Sequence, residues 1–142
     1  MADGSQQPSG AARTGCRKVL IIEDNRDAAD SLSEALSISG HRVAVAYDGA
    51  AGLAMAREFH PEAIVCDIGL PGEMDGYGVA RALRRDAATA SAYLIALTGY
   101  AQPEDQRQAL VAGFDTHMAK PPNPEKLNEI LRMFPAEDCA SE

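Results

Sequence analysis

The sequence predicts an α/β protein, a five-stranded parallel sheet with helices on both faces. Two observations carry this expectation. Strand-like and helix-like segments alternate five times along the chain, the pattern of parallel strands joined by crossover helices. The strand-like segments are short, continuous apolar runs rather than alternating ones. Such runs suit strands that are buried on both faces.

The elements follow in order. "RKVLIIED" opens ordered structure, with residues 19–22 as the first strand. "NRDAADSLSEALSISG" is helical, since Ala28, Leu32, Ala35 and Leu36 recur at helical spacing and Gly40 is a natural stop. "HRVAVAY" is the second strand, and "DGAAGLAMAREF" is a helix with Asp48 as its N-cap. "AIVCD" and "DGYGVARALRRD" form the third pair, and "AYLIALT" is the fourth strand. The helix "PEDQRQALVAG" has Pro103 near its start and Gly113 past its end. "FDTHMA" is a weaker strand signal. The last helix, "NPEKLNEILRMF", has Asn123 as cap, Pro124 at its first position and a stripe of Leu127, Ile130, Leu131 and Phe134. Residues 1–15 are small and polar with Gly and Pro, and read as a disordered tail. Residues 16–135 form the folded domain, and 136–142 a patternless C-terminal tail.

Composition narrows the function. The 142 residues suit one domain, and at 46% hydrophobic but only 5% aromatic, with no Trp, the core must be built from Ala, Leu, Ile and Val. The net charge of −8 argues against a broad nucleic-acid footprint, which would be basic. Cys16, Cys66 and Cys139 show no metal-ligand spacing, and free thiols in a reducing cytoplasm are the plain reading. No stretch is long and apolar enough to span a bilayer, and the first residues lack the apolar core of a secretory signal.

In open parallel sheets, ligands bind beyond the carboxyl ends of the strands. The first strand delivers Glu23 and Asp24 there, the third Asp67, the fourth Thr98 and Gly99, and the fifth Lys120 and Pro121; the second delivers nothing chemical. Taken alone, each is ordinary: a cap, a turn residue, a strand threonine, a solvated lysine. Together they form a set. Three neighbouring carboxylates repel, at about 4 kcal/mol per pair at roughly 4 Å and an effective dielectric near 20. A hard divalent cation such as Mg²⁺ relieves that repulsion and is commonly shared with a phosphate. Thr98 and Lys120 then offer a hydroxyl and an ammonium to phosphoryl oxygens. Asp67 remains as the nucleophile, since carboxylates form aspartyl phosphates. Gly69 and Gly72 leave room for the metal and the incoming group.

These motifs resemble the receiver domains of two-component response regulators. "VLIIEDNRD" resembles the family's first strand and acidic pair. "CDIGLPGEMDGYGVARALR" resembles the phosphoacceptor strand, its loop and the next helix. "LIALTGY" and "AGFDTHMAKPPN" resemble the last two strand ends. The match spans about residues 16–135, and its wording is closest to receivers of hybrid histidine kinases. The resemblance implies a flavodoxin-like, doubly wound (βα)5 fold with strand order 2-1-3-4-5. It implies Asp67 as phosphoacceptor, Mg²⁺ held by Glu23, Asp24, Asp67 and the Gly69 carbonyl, Thr98 as switch hydroxyl, Lys120 as phosphoryl ligand and a cis Lys120–Pro121 bond. The implied donor is a sensor histidine kinase or a histidine phosphotransfer protein, acting in the cytoplasm. The implied output is a downstream protein target, with no direct nucleic-acid or membrane contact. Three features depart from the usual pattern. The acidic pair is Glu-Asp rather than Asp-Asp. The loop "LPGEMDG" is one residue longer and is expected to bulge near the metal. His117 stands where a switch Tyr or Phe is usual, facing a docking surface formed by the fourth helix, fifth strand and fifth helix.

The reading is of a signalling receiver rather than an enzyme, although it catalyses its own phosphorylation and dephosphorylation. A single-domain regulator is the first form of it. A receiver excised from a hybrid histidine kinase, or a non-phosphorylated pseudo-receiver, are the alternatives. A flavodoxin-like FMN carrier would need a Ser/Thr- and Gly-rich loop where this chain has "EDNRD". A haloacid-dehalogenase-type phosphatase would want an acid where it has Gly69.

Overall fold

The computed structural model describes residues 17–99 and 103–133. Cys16, Cys139, Phe134 and the two terminal tails lie outside the described residues. Five strand–helix pairs follow one another: β1 (Lys18–Ile22), α1 (Arg26–Ile38), β2 (Arg42–Ala46), α2 (Gly49–Phe59), β3 (Ala63–Asp67), α3 (Gly76–Arg85), β4 (Tyr93–Thr98), α4 (Pro103–Ala112), β5 (Thr116–Ala119) and α5 (Pro124–Leu131). The strands form one parallel sheet in the order β2-β1-β3-β4-β5, as expected.

Each strand feeds both faces because successive side chains point opposite ways. Leu20, Ile22, Ile64, Cys66, Leu94 and Ala96 join one core cluster, with Ala56 of α2, Val79, Ala80 and Leu83 of α3, and Ala109 and Ala112 of α4. Val19, Ile21, Val65, Ile95, Leu97 and Met118 join the other, with Leu32 and Leu36 of α1 and Leu127 and Leu131 of α5. The apolar strand runs are therefore double-sided cores, which is why they do not alternate in sequence.

Short polar caps start α1, α2, α3 and α5. Asn25 accepts from the Ala28 N–H, Asp48 from Ala51, Asp75 from Gly78 and Asn123 from Glu125. Gly40 and Gly113, the expected helix ends, both have positive φ. One expectation in α1 is corrected. Ala28 is exposed, and the buried row is Ala29, Leu32 and Leu36. The Asn25 cap places Ala28 in the first turn on the water side, and the row reaches back from Leu32 by three residues, not four. In α5, Leu127 and Leu131 are buried and Ile130 is half-buried. Among the described residues, no helix is long and apolar enough to cross a membrane.

Candidate functional site

Register decides which side chains meet. Ile22 lies level with Ala46 and Cys66, Asp67 with Leu97, and Thr98 with Ala119. Glu23, Asp67, Thr98 and Lys120 therefore leave the sheet at the same edge, within two residues of one level. β2 also contributes here, contrary to the sequence reading. Its last carbonyl, on Ala46, accepts the Glu23 N–H at 3.0 Å and fixes the acidic pair to the sheet.

The Asp67 carboxylate is held by both oxygens. Oδ1 accepts the Gly69 N–H at 2.9 Å, and Oδ2 accepts from Lys120 Nζ at 2.8 Å. Lys120 Nζ also reaches Glu23 Oε1 at 3.1 Å. The other Glu23 oxygen accepts the Asn25 N–H at 3.0 Å. Glu23 is buried, at 3% exposure, whereas Asp24 is exposed. Carboxylate oxygens of Glu23, Asp24 and Asp67 lie within 4.8 Å of one another. That is a hard, oxygen-only donor set of the kind Mg²⁺ takes, so the residues present fit the ion.

Burial pushes the Glu23 carboxyl above its ordinary range, the Asp67 charge adds to the rise, and the bonds from Asn25 and Lys120 oppose it. Burial pulls the Lys120 ammonium down, but its bonds to Asp67 and Glu23 outweigh that and leave it raised. The two partners do not mirror each other because desolvation rules the one and paired anions rule the other. The ammonium is therefore firmly charged between two carboxylates that would otherwise repel.

Thr98 supplies a further observation. It is buried, at 1% exposure, and its hydroxyl finds no hydrogen-bond partner among the described residues. A buried hydroxyl left unpaired costs about 1–3 kcal/mol. Thr98 lines a cavity of about 410 Å³ with Asp67, Gly69, Gly99 and Lys120. The residues that line the cavity thus include a carboxylate, an ammonium and a threonine whose hydroxyl is unpaired.

The chain's match to known proteins accords with this geometry. The family model described as the response regulator receiver domain covers residues 19–132. The chain belongs to the receiver domain family. Receiver domains are signalling domains of two-component systems and bind Mg²⁺ in an acidic pocket. Among solved structures, the chain resembles the chemotaxis protein CheY4 of Vibrio cholerae, with a TM-score of 0.76 and 29% identity over 81% of this chain and 95% of that one. It also resembles the receiver domain of the Pseudomonas aeruginosa sensor histidine kinase PA1611, described with a magnesium ion coordinated in its active site cleft. That TM-score is 0.74, with 31% identity over 82% of this chain and 94% of that one. Among curated relatives, it is 36% identical over 115 residues to the DNA-binding dual master transcriptional regulator RpaA of Synechocystis, which covers 81% of this chain and 47% of the relative. The chain spans about half the length of the first curated relatives it matches.

The structure brings Glu23, Asp24, Asp67, Gly69, Thr98 and Lys120 to one edge, and the Lys120–Pro121 bond is cis. It moves two features elsewhere. Gly72 does not line the Asp67 cavity; it has φ +94 and turns the loop toward a separate cavity walled by Asp48, Gly49 and Glu73. Of this loop, Ile68 and Gly69 wall the Asp67 cavity, and Pro71, Gly72, Glu73 and Met74 wall the other, against the start of α2. His117 pairs with Ala96, on the sheet face covered by α2, α3 and α4, while Met118 is buried on the other face. Cys66, next to Asp67, is a buried free thiol whose ionisation is pushed far up by burial and by the neighbouring carboxylates, which leaves it unreactive.

Sequence reasoning missed the wall residues Ile68, beside the phosphoacceptor, and Tyr77 and Asp105, on the helices. For Tyr77 and Asp105 the signal was present: both lie in the first turn of the helix that follows a site-bearing strand, at the same edge of the sheet.

Proposed function

We propose that this receiver accepts a phosphoryl group on Asp67 from a phosphohistidine of a sensor histidine kinase or a histidine phosphotransfer protein, and passes the change to a downstream protein target. The unpaired Thr98 hydroxyl carries the reading. Thr98 lines the cavity that holds the nucleophile, and an incoming phosphoryl oxygen is the acceptor its hydroxyl lacks. An Asp67 oxygen attacks phosphorus, the P–N bond breaks, and the imidazole nitrogen of the donor keeps the electron pair. The Gly69 N–H and the sheet hold the carboxylate in one orientation, which lowers the entropy cost of in-line attack. Lys120, released from Asp67 Oδ2, takes a phosphoryl oxygen, and Thr98 donates to another. Mg²⁺ held by Glu23, Asp24, Asp67 and the Gly69 carbonyl would supply charge neutralisation at the phosphoryl oxygens.

The proposal takes the domain as residues 16–135, with tails at 1–15 and 136–142. A single-domain regulator in the cytoplasm is the first form of the proposal, supported by a match to CheY4 over 95% of that chain. RpaA, of which the chain spans 47%, favours a receiver within a longer regulator instead. The size of the natural protein in its source cell decides between them. Direct nucleic-acid contact is not part of the proposal, given the net charge of −8.

The test uses acetyl phosphate with Mg²⁺. The chain should gain one base-labile phosphoryl group by intact mass, and Asp67→Asn should gain none. Equal labelling of the variant would assign the nucleophile elsewhere.

A further inference from the structure

Tyr77 stands between two cavities. One is the Asp67 cavity; the other, of about 460 Å³, lies between α3 and α4 with Arg81 and Arg107 on its walls. Tyr77 lines both, and so forms part of the partition between them. Its mount is rigid. A Cβ on the preceding Gly76 would overlap the Ile68 Cα and lie 2.5 Å from the Asp67 carbonyl oxygen. The Gly76 N–H also donates to the Ile68 carbonyl at 3.2 Å. The first turn of α3 therefore rides on the backbone that leaves the phosphoacceptor.

The far end of Tyr77 touches a different helix. Its hydroxyl donates to the Asp105 carbonyl, in the first turn of α4, at 3.5 Å. That is a long, weak bond. Asp105 also lines the Asp67 cavity. Burial pushes the Tyr77 phenol up, and the charges of Asp105 and Asp75 add to the rise, so the hydroxyl keeps its proton and remains a donor.

We propose that Tyr77 is a positioning residue that couples charge in the Asp67 cavity to the placement of α4. Its hydroxyl holds the first turn of α4 in the unphosphorylated arrangement and lets it go when a phosphoryl group arrives. The electrostatics give the direction. A phosphoryl group brings a charge of about −2 into a cavity that Asp105 already helps to wall. Repulsion falls on the first turn of α4, whose tie to the rigid α3 mount is the 3.5 Å bond. This inference rests on the phosphoacceptor reading of Asp67.

Tyr77 also packs against the core, so the variant must remove the hydroxyl and keep the ring. Tyr77→Phe in the full chain does this. Wild type and variant are compared by amide NMR, free and with Mg²⁺ and beryllofluoride, and by the rate of labelling with acetyl phosphate. In the free variant, the amides of residues 104–112 should move part of the way along the line toward their beryllofluoride positions in wild type. The labelling rate should rise about threefold, the equilibrium shift of one weak hydrogen bond, with the end point still one group per chain. Variant amides in α4 that coincide with wild type in both states, at an unchanged rate, overturn the coupling and leave Tyr77 as packing alone. A wild-type chain that takes no label overturns the phosphoacceptor reading itself, and is recognised before any variant is made.

Discussion

The two ends of the sheet are built on opposite plans. At the carboxyl edge, three carboxylates crowd within 4.8 Å, one ammonium bridges two of them, and the Thr98 hydroxyl goes unpaired. At the amino edge, Arg84, Asp115 and His41 are closely matched. Arg84 donates from Nε to the Gly113 carbonyl at 2.9 Å, from Nη1 to the carbonyls of Ala90 and Ala92 at 2.8 and 2.6 Å, and from Nη2 to Asp115 at 2.7 Å. The same Asp115 oxygen takes the Leu94 N–H at 2.8 Å. His41 uses both ring nitrogens, toward Arg17 and Asn128. The difference teaches where stability is spent and where it is stored. Arg84, Asp115 and His41 hold the loops at one end, and the Thr98 hydroxyl lacks a partner beside the acidic cluster at the other.

The largest expected effect tests the amino edge. Arg84→Ala removes four hydrogen bonds at once and leaves partly buried carbonyls without donors. Urea unfolding should show a loss of about 3 kcal/mol, with Asp67 labelling by acetyl phosphate unchanged in stoichiometry. A loss below about 1 kcal/mol would mean that this edge is not what ties the loops.

The carboxyl edge should respond with either sign. Lys120→Met leaves Glu23 and Asp67 facing each other without their cation. The free protein should lose about 2 kcal/mol, and Mg²⁺ should raise the melting temperature of this variant more than that of wild type. Asp24→Asn acts the other way. No ion pair among the described residues links Lys120 to Asp24, so losing that exposed charge should stabilise the metal-free protein by roughly 0.5 kcal/mol after allowance for water screening, and should weaken the response to Mg²⁺. Melting curves with chelator and with Mg²⁺ check both. A Lys120→Met protein as stable as wild type in chelator would show that the edge holds no stored repulsion.

The contrast also separates what could be read from the sequence from what could not. Asp67 and Lys120 are 53 residues apart, yet both were legible, because parallel strands bring their exits to one edge whatever lies between. The helix caps at Asp48 and Asn123 were legible because capping is local. Arg84 and His41 were not. Their partners include backbone groups and an asparagine up to 87 residues away, and nothing in a linear chain marks which carbonyl will lack a donor. Ala28 was misplaced for a related reason. Periodicity gives the face of a helix, but the Asn25 cap sets where on that face burial begins. The Ala46 carbonyl beneath Glu23 was illegible because a backbone group has no sequence signature.

The smallest effect expected is a slope with pH, and it comes from the amino edge. The Arg17 backbone N–H can only donate, so His41 Nδ1, at 3.0 Å, must accept and carries no proton. The other nitrogen then donates to Asn128 Oδ1 at 2.7 Å, and Asn128 turns its amide to Ser39 Oγ at 3.0 Å. Protonating the ring would set N–H against N–H. Burial lowers the His41 pKa; the hydrogen bond to Asn128 raises it, and the Arg17 and Arg132 charges lower it further, for a net decrease. A base depressed in the folded state binds protons more readily when unfolded, so stability rises with pH. The contribution is present above the unfolded value near 6.5 and is lost as pH falls through that value toward the folded one. Glu23, raised in the fold, titrates with the opposite sign, and the wild-type slope alone mixes the two. The difference from His41→Asn removes Glu23 from the comparison. Urea unfolding from about pH 7.5 to 5.5 should show the advantage of wild type over His41→Asn shrinking steadily. A gap that stays constant across that range would mean that the fold leaves the His41 pKa at its unfolded value, and that the bonds to Arg17 and Asn128 do not hold the ring neutral.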